Sequence, residues 1–146
     1  MIYGTYAKAK EYMERGEIAL WLQLFLRNDG KNLALADGLL LEERHYVGLR
    51  RIPISLLKDV KSGTPEYLHD RDSIDYFFYI VDKMKEDIEH WDVPPLIVNY
   101  YEGRFEVNDG RHRLEMYRQL HAEEVDAVLW VTGDDDYKKL MEVLTC

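Results

Sequence analysis

Asn108, Asp109, Gly110, Arg111, His112 and Arg113 form one uninterrupted run, and their pattern places them where a strand gives way to a helix. Three nitrogen-bearing side chains in a first helical turn are physically odd. That end of a helix carries the positive pole of its dipole, so each cation there is disfavoured by roughly 0.3–1 kcal/mol unless an anion lies nearby. A bound phosphate reverses the sign. The free first-turn amides, the close approach allowed by Gly110 and the guanidinium forks of Arg111 and Arg113 all suit phosphate oxygens. Asp109 is read as the N-cap of this helix, with Asn108 closing the strand before it. A second reading uses the same residues structurally: Arg111 and Arg113 are solvated or paired with Glu115 and Asp109, and His112 packs beside the neighbouring hairpin.

Acidic residues form the other candidate set. Glu66, Asp70, Asp72 and Asp75 could act as a general base or hold Mg²⁺ through one or two carboxylates beside a phosphate. Equally, Asp70, Asp72 and Asp75 suit the first turn of a helix, where acidic groups complement the dipole. Asp134, Asp135 and Asp136 are read the same way. His45, His69, His90 and His121 have no mutual metal-ligand spacing, so no metal site is expected. Cys146 is the sole cysteine, which excludes an intrachain disulfide, a thiolate zinc cluster and a buried cysteine nucleophile.

The elements that must position these residues follow from periodicity. Tyr6, Ala9 and Met13 predict a helix from Tyr3 to Arg15, stopped by Gly16. Ile18, Trp21, Leu22 and Phe25 predict a second, apolar on most sides and ended by Asn28, Asp29 and Gly30. Leu33 to Leu41 reads as two short strands turning at Asp37 and Gly38. Tyr46 to Ile54 reads as a strand, with Ser55 capping a short turn at Leu56 and Leu57, and Lys58 to Arg71 as a polar loop. Ser73 is expected to cap a long helix whose stripe runs through Ile74, Phe77, Phe78, Val81, Met84, Ile88 and Trp91 up to Pro94 and Pro95. A hairpin of Leu96 to Tyr101 with Phe105 to Asn108 leads into a helix from Arg111 to Leu120. Val125 to Val131 predicts a last strand, and Tyr137, Leu140, Met141 and Leu144 a terminal helix.

The order of these pieces resembles the ParB N-terminal and sulfiredoxin superfamily over about 80 residues, from Arg51 to Trp130. The resemblance rests on a strand ending in Ile52-Pro53, a variable loop, the long helix, and the strand Pro95-Leu96-Ile97-Val98. It continues through a hairpin strand, Phe105-Glu106-Val107-Asn108, that runs into Asp109-Gly110-Arg111-His112-Arg113-Leu114 before a closing strand. It implies an α+β fold, a small mixed sheet flanked by helices, with residues 1–45 as an N-terminal helical extension packed on a core of residues 46–146. It also implies nucleotide-phosphate binding by Gly110, His112 and Arg113, assisted by Arg111. Sulfiredoxins place a reactive cysteine immediately before the His-Arg pair, where Arg111 stands here, so sulfinate repair is not implied. The Glu-Arg-Arg form of the motif found in ParB is absent and the sequence stops at Cys146, so CTP-gated DNA clamping is not expected. The Asp-Gly-x-His-Arg form is closer to the branch that contains an ADP-dependent free-serine kinase.

Length and charge frame the function. The chain has 146 residues, 47% of them apolar, and a formal net charge of −9, which describes one acidic folded domain. Strong stand-alone binding of duplex DNA is not expected, because such binding draws on clustered Lys and Arg. The longest apolar stretch, Ile18 to Leu26, is broken by Gln23 and falls well short of the ~20 residues that cross a bilayer. No signal-peptide pattern opens the sequence, so the cytoplasm is the expected location and no membrane partner is expected. The expected ligand is a nucleotide, ATP, ADP or CTP, with Mg²⁺. The first activity it suggests is phosphoryl transfer to a small hydroxyl compound, with His112 and one of Glu66, Asp70 or Asp72 in the chemistry; the alternative is nucleotide-dependent regulation of a DNA or protein partner, and phosphodiester cleavage comes last because it needs a metal site that the sequence does not clearly show. A protein partner is expected to dock through residues 1–45.

Overall fold

The computed structural model describes residues 2–59 and 70–145; Glu66, and with it most of the expected polar loop, lies outside them. The described residues form six α-helices and five strands, an α+β arrangement built on one mixed sheet. In chain order these are α1 (Tyr6–Glu14), α2 (Ile18–Arg27), α3 (Leu33–Leu39), β1 (His45–Pro53), β2 (Leu57–Asp59), α4 (Arg71–Asp87), β3 (Leu96–Tyr101), β4 (Arg104–Asp109), α5 (Arg111–Gln119), β5 (Glu124–Val131) and α6 (Asp134–Thr145). The sheet order is β1-β5-β3-β4-β2. β5 runs antiparallel to β1 and parallel to β3, and β2 pairs in parallel with β4.

Alternation along β5 explains why it lies inside the sheet. Val125, Ala127, Leu129 and Val131 point to one face, where Leu114 of α5 and Leu140 of α6 cover them. Val128 and Trp130 point to the other, where Trp21, Leu22, Leu26, Ala36 and Leu39 of α2 and α3 close over them. A strand buried on both faces needs apolar residues on both, which Ala127 to Val131 supplies without a break. Each fully buried Leu in these layers contributes on the order of 1.5–3 kcal/mol of hydrophobic free energy. Outside the first layer, α4 rests on α5 through Phe77, Val81 and Met116. Phe77, not Phe78, is the fully seated aromatic of that stripe.

Four local expectations are corrected. The expected hairpin of Leu33 to Leu41 is instead the helix Leu33–Leu39 and its C-terminal turn: the Asn32 side chain caps it by accepting from the Leu35 amide, and Ala36 and Leu39 turn inward against α2. Burial of that face outweighs the turn preference of Asp37-Gly38, which simply continues the helix. Asp70, not Ser73, is the N-cap of α4, its carboxylate accepting from the Asp72 and Ser73 amides. Ser55 caps nothing, since the 3-10 turn of Ile54–Leu56 follows Pro53 without a side-chain cap. Leu57 does not belong to that turn but opens β2, a parallel edge strand that its three residues give too little pattern to announce.

Among the described residues, no helix is long and apolar enough to cross a membrane.

Candidate functional site

The junction of β4 and α5 is set by Gly110. It occupies the N-cap position at φ 109°, a left-handed conformation, and a Cβ there would lie 2.5 Å from Leu96 Cδ2 and 3.0 Å from Arg113 Nη2. Only glycine fits both the angle and the space. Among the described residues no side chain caps α5, and its first turn holds no acidic residue.

Asp109, the expected cap, is engaged elsewhere. Its Oδ2 accepts from Arg113 Nη2 at 2.8 Å and its Oδ1 from Asn32 Nδ2 at 2.9 Å. That is a correction with a clear cause: the guanidinium four residues on is a stronger partner for a carboxylate than a backbone amide. Arg113 itself is only 5% exposed. Its Nη1 donates to the carbonyls of Pro94 at 2.6 Å and Pro95 at 2.9 Å. Burial pushes its pKa down, and Asp109 pulls it back up. The Arg113 fork therefore faces inward, fastening the Pro94-Pro95 segment and Asp109 to α5.

His112 stacks on Phe77 with ring centroids 4.5 Å apart. Burial, then the Arg111 and Arg113 charges, lower its pKa to about 4, so it is a neutral imidazole at pH 7. Of the three nitrogen-bearing side chains in the first turn, Arg111 alone is exposed, and it has no carboxylate or hydrogen-bond partner among the described residues. The expectation of three uncompensated basic groups thus contracts to one.

The first turn opens into a cleft of about 390 Å³. One wall is Asn108 through Arg113; the facing wall is Gly30, Lys31 and Asn32 from the α2–α3 connection, with Met84 of α4 and Val107 between them. Lys31 is exposed, holds a left-handed backbone at φ 51°, and is without an acidic partner among the described residues. Asn32 joins the walls, since one end of its amide caps α3 and the other reaches Asp109. Asn108 is fixed through its Oδ1, which accepts from Trp130 Nε1 at 3.1 Å.

All six residues of the Asn108 to Arg113 run line this cleft. Asp70 and Asp72 do not: they stand at the far end of α4 from Met84. Asp70 is occupied as a cap, accepting from the Asp72 and Ser73 amides and the Ser73 hydroxyl, bonds that hold its pKa below the usual carboxylate value. Lys31, Asn32 and Met84 were not anticipated. Gly30 before a cationic residue and a capping Asn is a usable signal for the first two, but nothing local says that this turn folds against a strand end 77 residues later.

No family model matches the sequence, and no curated protein sequence matches it. Among solved structures it is similar to a Pnob8-like ParB-N domain, at 16% identity and a TM-score of 0.44, over 67% of this chain and 35% of that one. It is similar also to the C-terminally truncated chromosome-partitioning protein ParB of Caulobacter crescentus complexed with CTP-gamma-S, at 15% identity and a TM-score of 0.42, over 64% and 49%. Sulfiredoxin from Arabidopsis thaliana shows 14% identity and a TM-score of 0.42, over 62% and 93%. The chain thus spans about a third to a half of the two ParB chains.

Proposed function

We propose that this cleft binds the phosphate groups of a nucleotide. The observation that carries the reading is the start of α5. Among the described residues it has no side-chain cap, its neighbouring carboxylate Asp109 is turned inward to Arg113, and it opens between two cations with no acidic partner, Arg111 and Lys31. An anion there gains the free amides, the positive end of the dipole and both cations together. Gly110 lets it come close to the backbone. Neutral His112 serves as a hydrogen-bonding group, while Arg113 holds the cleft in shape from beneath. ATP, ADP and CTP are the ligands to try, with and without Mg²⁺.

Regulation is favoured over catalysis by the Asn32–Asp109 hydrogen bond, which makes the N-terminal helices part of the cleft wall. Occupancy is then felt by α3 and by whatever binds it. Phosphoryl transfer to a small hydroxyl compound needs a base for the acceptor. Among the described residues, the one carboxylate lining the cleft is Asp109, already bound to Arg113 and Asn32. With a net charge of −9, the chain alone binds duplex DNA weakly and with steep salt dependence.

Calorimetric titration with each nucleotide tests the reading. Binding is expected in the wild type and is lost or much weakened in Arg111→Ala and Lys31→Ala, with melting temperatures of the free proteins unchanged. Equal affinity in all three proteins, or no binding of any nucleotide or of pyrophosphate, overturns it. Turnover of a bound nucleotide on adding serine or a similar alcohol selects phosphotransfer over regulation.

A further inference from the structure

A second concavity, larger than the first, lies on the opposite side of the N-terminal helices. It measures about 890 Å³ and runs between α2, α3, the start of β1 and the β5–α6 turn. Its walls carry Leu20 and Leu40, which are 44% and 65% exposed, and Leu41 beside them is 80% exposed. Glu42, Glu43 and Asp134 stand around it. Leucines this open on two adjacent helices have no role in the two core layers, which are filled by other residues.

The floor is built to hold its shape. Arg44 donates to the Gly38 carbonyl at 2.8 Å and to the Thr132 hydroxyl at 2.5 Å, and pairs with the Glu42 carboxylate at 3.3 Å. Its guanidinium lies 5.1 Å over the Trp130 ring. These contacts tie the α3–β1 connection to the β5–α6 turn before any partner arrives, which lowers the ordering cost of binding. They also consume the one arginine of the groove. The surface left facing outward is apolar in the middle and acidic at the edge.

We propose that this groove docks a basic, leucine-bearing amphipathic helix of a partner protein. Charge selects the occupant. A second copy of this chain would bring the same acidic rim and another −9 of net charge, and an anionic membrane surface or a nucleic acid would be repelled in the same way. A basic helix gains most from Glu43, which has no partner among the described residues, and less from Glu42 and Asp134, already held by Arg44 and His45, while its leucines cover Leu20 and Leu40, the helix-in-groove mode of recognition. An added strand is the poorer fit, because β1 carries Arg50 and Pro53, which blunt its open edge against pairing and repel a basic chain, while Arg51 is paired with Asp126 of β5.

The experiment is fluorescence anisotropy on the full chain with a labelled helix-forming peptide of about 18 residues, five turns, built of leucines at i, i+3, i+4 and i+7 with lysines elsewhere. A peptide with the same leucines and glutamates in place of the lysines is the control. Binding of the lysine peptide is expected, weakened about tenfold or more by Leu20→Ser with Leu40→Ser, and weakened separately by Glu43→Lys. All of these positions are exposed, and unchanged thermal melts confirm that the fold persists. Arg111→Ala should bind the peptide normally, so the result is independent of the nucleotide reading. The proposal is overturned if the lysine peptide does not bind, if the serine variants bind it unchanged, if the glutamate peptide binds as well, or if sedimentation shows a dimer that Leu40→Ser dissolves.

Discussion

At the first turn of α4, the Asp70 carboxylate accepts from two backbone amides and Asp72 adds a second negative charge. At the first turn of α5, a left-handed glycine stands in the capping position, no side chain caps, and the first exposed residue is an arginine. Both helices present the same orphan amides and the same positive pole. In α4 the chain satisfies them itself. In α5 the carboxylate that could have done so is bound to Arg113 and Asn32, and the amides face a cleft. The contrast shows why acidic residues at a helix start are weak evidence of catalysis, whereas an uncapped start beside cations points to a ligand.

The largest effect that would sharpen this contrast lies beneath the cleft. Arg113→Ala should destabilise by about 3–5 kcal/mol, because it leaves a half-buried Asp109 and two proline carbonyls without their donor; urea unfolding measures it. Loss below 1 kcal/mol would mean that Arg113 does not hold the junction together. Protonation of His112 ranks next. Its folded pKa of about 4 lies below the ordinary 6.5, so the unfolded chain takes up the proton first as pH falls. Stability from this group is complete above about pH 6.5 and is lost progressively toward pH 4. The loss is on the order of 1–2 kcal/mol, less than the full shift implies because the ring is only half-buried. Unfolding titrations across that window should be flatter in His112→Gln.

Gly110→Ala should destabilise by about 1–2 kcal/mol from the left-handed backbone alone, with a further loss from the contact with Leu96. Asp70→Ala is expected to lower the melting temperature as a missing cap while leaving nucleotide affinity untouched, a direct separation of the two helix starts. The smallest effect has the opposite sign. Arg111→Glu should stabilise the free protein by roughly 0.3–1 kcal/mol, since an acidic group now meets the positive pole, and should abolish nucleotide binding. A melt and a calorimetric titration on one variant decide it; a destabilised Arg111→Glu would show that Arg111 has a structural partner.

What could be read from the sequence was what local pattern controls. The stripe of α4, the β3–β4 hairpin, the doubly apolar β5 and the strand-to-helix change at Gly110 all stand in the order of residue types. What could not be read depends on distant partners. Asp109 has the residue type of a cap; its pairing with Arg113, four residues on, is one of the options the sequence offers, but the arrival of Asn32 from 77 residues earlier is not. Asp37-Gly38 has the composition of a turn, and only packing of Ala36 and Leu39 on α2 keeps it helical. Lys31 and Asn32 belong to a surface turn until α2 and α3 lie on the sheet.

The sheet order also bears on how the chain assembles during synthesis. β1 is made early, yet its partner is β5, so its edge stays unpaired until Glu124 to Val131 has emerged. Pairings of such long separation form late and leave strand edges open to other chains. Arg50, Arg51 and Pro53 therefore act as guards on the nascent chain, protecting β1 from aggregation in the interval before β5 arrives. The docking layer of α1–α3 can settle only after that closure, because Val128 and Trp130 belong to the same late strand. The two walls of the cleft thus come together only as the last strand is laid down.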